Sequence, residues 1–331
     1  MINFKSYAKL YGSSIVEEGE KYMLSVVIPV FNEEESLEAF YKELASVVSD
    51  LDKDYEIIFV DDGSKDKSLD ILKGFHAQNK NVKIFSFRRN QGKSEALTYG
   101  FEKSSGDYIV TLDADLQDKP SEIAKLLSKV KKEGFSLVCG WRKNRKDSLP
   151  KIIASRIFNS FASSFWGVKL HDYNCGLKVY DRDAAKSLKL YGGLHRFIPL
   201  LVFQQGFAVT EILVEHEVRK FGKSKYGFSK LWKDLPDIFT MLFLNKYGKR
   251  PLHFFGPVGF IFLLIGFGIL IYLTVEKIFY GQGIGNRPII FLGMLLVLGG
   301  FQVLFTGFLA DLIINSSHKQ NKEFFLKYST E

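Results

Sequence analysis

The chain has 331 residues, 45 Lys and Arg against 37 Asp and Glu, a formal charge of +8 and only two cysteines. Cys139 and Cys175 are too few for a disulfide framework and suit a reducing compartment, which excludes the small disulfide-stapled class. The basic balance is compatible with nucleic acid, anionic lipid or a phosphorylated substrate. No zinc spacing, helix-turn-helix or RNA-binding aromatic signature supports nucleic acid.

Met1 to Tyr22 carries no apolar h-region, so it does not read as a secretory signal, and it is set apart as an N-terminal extension, 1–22. From Met23 the pattern alternates. Leu24 to Val30, Tyr55 to Val60, Val82 to Phe87, Tyr108 to Leu112 and Leu137 to Gly140 read as strands. Glu34 to Leu51, Lys67 to Asn79, Lys93 to Ser104 and Pro120 to Lys132 read as helices. Near-continuous apolarity means strands covered on both faces, hence an α/β domain with a parallel sheet whose ligands bind beyond the C-terminal strand ends.

Polar clusters fall at those ends: Phe31-Asn32-Glu33, Asp61-Asp62-Gly63-Ser64, Arg88 to Gly92, and Asp113-Ala114-Asp115-Leu116-Gln117. Taken singly, the first three read as helix caps and turns. Asp113 and Asp115 differ, because an i, i+2 pair at a strand exit presents two carboxylates to one cation. An EF-hand loop is excluded: its sixth position would be Asp118 rather than Gly, and its twelfth Ala124 rather than Glu. A sparse carboxylate site completed by phosphate and water suits Mg²⁺.

Further on, Trp141 to Lys146 is a dense basic loop. Pro150 to Trp166 repeats Ile153, Ile157, Phe161 and Phe165 at helical spacing, with Lys151, Arg156 and Asn159 off that stripe. Periodicity leaves two readings open, an interfacial helix at a membrane and a core-packed helix with solvated charges. His171 to Gly176 follows, with Asp172 either a cap or a site residue. Lys230 to Tyr247 is a second amphipathic stretch.

Leu252 to Val275 and Pro288 to Ile314 are apolar runs, each long enough to cross a hydrocarbon core of ~30 Å at ~1.5 Å per residue. His253 is the titratable group of the first run and Asp311 that of the second. Lys246, Lys249 and Arg250 precede the spans and His318, Lys319, Lys322 and Lys327 follow them, whereas the intervening loop carries Glu276, Lys277 and Arg287. That bias predicts a multi-pass inner-membrane protein with both termini cytosolic. Glycines along both runs predict close helix packing, within the chain or in a homo-oligomer.

Five ordered motifs carry a resemblance: Ser25-Val-Val-Ile-Pro-Val-Phe-Asn-Glu-Glu, Phe59-Val-Asp-Asp-Gly-Ser, Arg89-Asn-Gln-Gly-Lys, Asp113-Ala-Asp-Leu-Gln and Arg219-Lys-Phe-Gly-Lys-Ser-Lys-Tyr. Together they resemble family 2 glycosyltransferases of the GT-A fold. Among these, the chain is similar to the dolichol-phosphate mannose synthase and bacterial polyprenyl-phosphate glycosyltransferase branch with two terminal spans. The resemblance implies a Rossmann-like GT-A domain over 23–226, interfacial helices over 227–250, two transmembrane helices within 251–314 and a cytosolic tail, 315–331.

It also implies roles. Pro29, Phe31, Glu33, Asp61 and Asp62 would surround the base and ribose of a nucleotide-sugar, with Lys93 and Ala114 beside it. Asp113 and Asp115 would hold Mg²⁺ or Mn²⁺ against the diphosphate, with Gln117 near the reacting centre and Arg219 and Lys225 reaching phosphate from a loop. Arg142 and Arg156 would grip an acceptor lipid phosphate, and Asp172 would face it. The expected reaction is inverting transfer of one sugar, glucose from UDP-glucose, to a polyprenyl phosphate. Two rivals stand beside it: a processive polysaccharide synthase, whose Gln-x-x-Arg-Trp motif is absent here, and a catalytically silent lipid-binding scaffold, which the intact Asp113 and Asp115 oppose.

Overall fold

The computed structural model describes residues 22–51, 54–143, 168, 170–217, 243, 247–248, 250–281, 283 and 287–317. Two compact units result, one built on a sheet and one on two long helices. The N-terminal extension up to residue 21, the amphipathic stretch at 150–166, all of 230–247 except Phe243 and Tyr247, and Arg156, Arg219 and Lys225 lie outside the described residues.

In the first unit seven strands form one sheet in the order β3-β2-β1-β4-β6-β5-β7. They are β1 (Leu24–Val30), β2 (Tyr55–Asp61), β3 (Val82–Ser86), β4 (Tyr108–Thr111), β5 (Leu137–Trp141), β6 (Lys178–Asp181) and β7 (Val209–Leu213). The first four run parallel in register, Leu24 beside both Tyr55 and Tyr108 and Ile57 beside Val82. Val26, Val27, Ile28, Ile57, Ile58 and Phe59 are all fully buried, as strands covered on both faces require.

The covering helices are α1 (Leu37–Leu51), α2 (Ser68–Gln78), α3 (Lys93–Lys103) and α4 (Ile123–Glu133). In α1 the buried Leu37, Phe40, Leu44 and Val48 fall on one face at helical spacing. A 3₁₀ turn, Pro120–Glu122, leads into α4, which stops at Gly134 in the left-handed region, φ 71°. The helices start and end within a few residues of the sequence expectation. Glu34 to Ser36 form a turn rather than a first helical turn, because Glu34 caps the next crossover instead: its carboxylate accepts from the Lys67 amide at 2.8 Å.

β6 and β7 are additions to the five expected strands. β6 inserts antiparallel between β4 and β5, pairing Thr111 with Lys178 and Cys139 with Lys178. The sheet is therefore mixed but mostly parallel, as the GT-A resemblance implies. Two short helices, α5 (Arg182–Ser187) and α6 (Ile198–Gln204), complete the described part of this unit. Asp181 caps α5 by accepting from the Ala184 amide at 2.6 Å.

The second unit holds α7 (Leu252–Tyr280) and α8 (Ile289–Ser317), each longer than the apolar run that predicts it. Their most apolar 18-residue stretches have mean hydropathies of 2.6 and 2.3. A core helix of a soluble protein with that composition would be buried. Here Phe260, Leu264, Ile271, Leu295, Leu298 and Phe305 are all more than half exposed, an apolar surface of the kind that suits a lipid environment. These are candidate membrane spans. They pack through glycine: a Cβ on Gly259 would meet the Gly300 carbonyl oxygen at 2.8 Å, and one on Gly266 the Gly293 oxygen at 3.0 Å. Near the end of α7, Glu276 pairs with Arg287, which precedes α8, at 3.6 Å.

Candidate active site

The C-terminal ends of β1, β2 and β4 lie side by side, so the chemistry-bearing loops converge there. The loop after β1 is tied to the loop after β2. Asn32, at φ 55°, donates its amide to Ser64 Oγ at 2.9 Å and accepts from the Lys65 amide at 2.8 Å, while the Glu33 amide donates to Ser68 Oγ at 2.9 Å. Asn32 is thus a cross-link between crossovers, where local sequence suggests a helix cap.

Asp61 and Asp62 build loops. Asp61 Oδ2 accepts from Ser86 Oγ at 2.6 Å and Oδ1 from the Ser64 amide at 3.1 Å. The Asp62 carboxylate accepts from the Gln91 amide at 2.6 Å, the Gly92 amide at 2.9 Å and Asn90 Nδ2 at 2.8 Å. Burial pushes the Asp62 carboxyl above its ordinary value, against the pull of those amides. Between the two loops Gly63, φ 69°, passes so near the Arg89 backbone that a Cβ would sit 2.6 Å from its carbonyl carbon.

The loop that Asp62 shapes aims Lys93, the first residue of α3, at the end of β4. Lys93 Nζ donates to both oxygens of Asp113, at 2.6 and 2.8 Å. Burial raises the Asp113 carboxyl, but Lys93, backed by Lys178 and Arg142, outweighs it and holds the group below the usual range. Next to it Ser94 accepts from the His195 amide at 3.1 Å and lies 2.9 Å from His195 Nδ1. Burial, then Lys93 and Arg196, depress His195 to about 3, so it is neutral at working pH and adds no cation to this corner.

Beyond Asp113 the chain turns sharply. Leu116 adopts φ 59°, and the Gln117 amide donates back to Asp115 Oδ1 at 3.2 Å. Asp113, Asp115 and Gln117 are all partly exposed, whereas Ala114 between the carboxylates is buried. Asp118 points inward instead: it is 3% exposed and accepts from the Leu177 amide at 3.1 Å. Burial pushes its carboxyl up to about 6, with Arg142 opposing and Asp113, Asp115 and Asp172 reinforcing.

Opposite this turn, Arg142 follows β5 and forks onto Asp172, Nε to Oδ2 at 2.7 Å and Nη2 to Oδ1 at 3.1 Å. The pair is nearly dry, the side chains 10% and 2% exposed. Asp172 Oδ1 also accepts from the Asn174 amide at 3.1 Å. Glu211 on β7 holds the same loop by accepting from the His171 amide and ring, and His171 stacks on Trp141 with centroids 4.1 Å apart. The loop reaches Asp113 at Gly176, where a Cβ would lie 2.7 Å from Asp118 Oδ2 and 2.9 Å from Asp113 Cγ. Lys178 fastens its other end by donating to the Cys175 carbonyl.

Asp113, Asp115, Gln117, Lys93, Arg142 and Asp172 therefore belong to one cluster. Pro29, Phe31 and Glu33 line the neighbouring strand exit, all partly exposed. Sequence reasoning gave no site role to Asp118, Glu211 and His195, which act through pairings some 40 to 100 positions apart, nor to Lys178, which sits opposite Thr111 and Cys139 in the sheet. Among the described residues no group of three or more His, Cys, Asp or Glu side chains is arranged to hold a metal ion. Two hard carboxylates on one turn fit a divalent ion whose other ligands are diphosphate and water.

A model of the glycosyl transferase family 2 domain matches residues 25–189, and a dodecaprenyl-phosphate galacturonate synthase from Rhizobium johnstonii is 36% identical over 302 residues, covering 90% of this chain and 89% of the relative. The chain belongs to glycosyl transferase family 2. It is a glycosyltransferase. An undecaprenyl-phosphate 4-deoxy-4-formamido-L-arabinose transferase from Photorhabdus laumondii is 35% identical, covering 88% of each chain. Among solved structures, glucosyl-3-phosphoglycerate synthase from Mycobacterium tuberculosis, crystallised with Mn²⁺, UDP and phosphoglyceric acid, superposes with a TM-score of 0.52 at 19% identity over 68% of this chain and 78% of that one. That likeness establishes the GT-A fold.

Proposed function

We propose that this family 2 enzyme moves a single sugar from a nucleotide-sugar to a polyprenyl phosphate at the cytosolic face of the inner membrane. One observation carries the reading: Gly176, on the loop that carries Asp172, packs against Asp113 and Asp118, and Arg142, paired with Asp172, lies near enough to lower the Asp113 carboxyl, on a chain that also carries two helices of membrane length. The names of its relatives, both polyprenyl-phosphate sugar enzymes, support the same acceptor.

In this scheme an oxygen of the lipid phosphate attacks the anomeric carbon from the face opposite the diphosphate. The carbon–oxygen bond to the nucleoside diphosphate breaks, and configuration inverts. Asp113 and Asp115 would hold Mg²⁺ or Mn²⁺, which when bound would supply positive charge against the leaving diphosphate. Lys93 adds a cation on the same side. A phosphate monoester with second pKa ≈ 6 is already ionised at neutral pH and needs no strong base. Asp172, with both oxygens on Arg142, therefore orients that guanidinium, leaving its remaining N–H groups for the acceptor phosphate. Asp61 and Asp62 shape the nucleotide loops more than they offer free carboxylates.

Glucose is the sugar carried over from the resemblance. The relatives' names make galacturonate and 4-deoxy-4-formamido-L-arabinose its direct competitors. Purified full-length protein incubated with undecaprenyl phosphate and each of the three UDP-sugars should give one lipid-linked monosaccharide from one donor. A polymer, or donor hydrolysis with no lipid product, would overturn the reading.

Orientation belongs to the same proposal, from the Lys and Arg flanking both spans against the sparse loop between them. A cysteine at Lys322 should label from the cytosolic side and one at Gly283 from outside. The reverse pattern would place the sheet domain across the membrane from its nucleotide supply.

A further inference from the structure

Lys93 is held in a way that a simple surface ion pair is not. Its backbone follows Gly92, at φ 105°, and the preceding loop is locked by hydrogen bonds from Asn90, Gln91 and Gly92 to the Asp62 carboxylate. A buried carboxylate has thus been committed to fixing where the Lys93 side chain starts. From there the ammonium reaches both oxygens of Asp113, and each side chain of the pair is 34% exposed. An entering ligand meets this pair directly.

Among the described residues, the other cations that act on Asp113 have partners elsewhere. Arg142 forks onto Asp172, and Lys178 donates to the Cys175 carbonyl. His195 is neutral. Gly176 closes the remaining flank of Asp113 so tightly that a methyl group would not fit. A divalent cation can therefore reach Asp113 only by taking an oxygen that accepts from Lys93. Like charges a few ångströms apart repel appreciably even at the effective dielectric of a protein surface, so the ammonium must leave. Its next partner has to be an anion that arrives with the cation, and a diphosphate is such an anion.

We infer that Lys93 is an exchangeable counter-ion for Asp113, displaced by a divalent cation and transferred to the incoming diphosphate, so that cation and nucleotide bind this site cooperatively. The inference rests on the metal reading above and deepens it. A cation alone must break the Lys93–Asp113 pair with nothing gained for the ammonium, and a nucleotide alone must draw Lys93 away from an uncompensated Asp113. Together each satisfies the group the other sets loose. Linkage makes the coupling equal in both directions.

Mn²⁺ binding to the full-length protein in detergent, followed by the electron paramagnetic resonance of free Mn²⁺, tests this without any transfer assay. In the parent protein UDP should tighten Mn²⁺ binding strongly. In Lys93→Gln, Mn²⁺ alone should bind about 5-fold more tightly than in the parent, and the tightening by UDP should shrink by a similar factor, the lower end of ordinary coupling between two ligands. Lys93→Arg, which keeps the charge, should retain the coupling. Equal or weaker Mn²⁺ binding in Lys93→Gln, or undiminished coupling, overturns the inference while leaving the metal site in place. Mn²⁺ and UDP binding to Asp115→Asn as to the parent takes the metal reading down, and this inference with it.

Discussion

Asp115→Asn is expected to abolish transfer, and EDTA to do the same to the parent protein, with Mg²⁺ or Mn²⁺ restoring only the parent. The reason lies in how little protein would hold the cation on the proposed reading. Asp113 and Asp115 are the carboxylates of one turn, and Asp113 already shares its oxygens with Lys93. Asp115, partly exposed and accepting from the Gln117 amide through Oδ1 at 3.2 Å, would be the second protein ligand for an ion that ordinarily takes one or two carboxylates from protein. Losing it removes most of the anchorage and the charge stabilisation of the leaving group, which argues for a fall of at least ~10³-fold in kcat. Asn matches the shape of Asp and still accepts from Gln117, so the circular dichroism spectrum should be unchanged. Full activity in EDTA would show that Lys93 and other cations neutralise the diphosphate unaided.

Arg142→Ala should damage stability and acceptor use together. It leaves Asp172, 2% exposed, with its charge uncompensated in the interior. Breaking such a pair from one side costs about 3–5 kcal/mol, and denaturant unfolding in detergent reads this directly. Replacing both partners by apolar residues, Arg142→Met with Asp172→Leu, should cost less stability than Arg142→Ala alone, since no orphan charge remains, yet transfer should still be lost. Arg142→Lys separates the two roles: it keeps a cation beside Asp172 but not the fork, so KM for the lipid phosphate should rise while nucleotide affinity holds. Unchanged stability in Arg142→Ala would mean that the pair is not buried in solution. Unchanged lipid kinetics in every variant would move the acceptor phosphate elsewhere.

Much of the donor side was legible because its signals are local. The apolar runs that become β1 to β4 are each read from a handful of neighbouring residues, and the polar residue after each run falls at a strand end by necessity. Asp113 and Asp115 stood out for the same reason, since a two-residue spacing at a strand exit is visible without any partner. Asn32, Asp61 and Asp62 were placed correctly along the chain, but their bonds were not visible. Asn32 reads as a cap, yet its amide and carbonyl oxygen serve the next crossover 32 and 33 positions away. Asp62 reads as a turn residue, yet it organises the loop that carries Lys93.

Composition and local period by themselves determined the α/β character, the first four strands and their helices, the pair of membrane-length helices and the carboxylate turn after β4. Each of these depends on what a residue's near neighbours bury, so it survives without knowledge of the rest of the chain. Tertiary structure alone decided the insertion of β6 between β4 and β5. Its four residues, Lys178 to Asp181, include a lysine and an aspartate and show no apolar run of their own. That strand exists because β4 and β5 both offer it unpaired backbone, with Thr111 and Cys139 flanking Lys178. Its entry brings Gly176 onto Asp113 and Asp118 and so sets the Asp172 loop beside the turn after β4. Such contacts join residues 57 to 65 positions apart, and hydrogen bonds between distant backbones leave no periodic trace in the sequence that makes them.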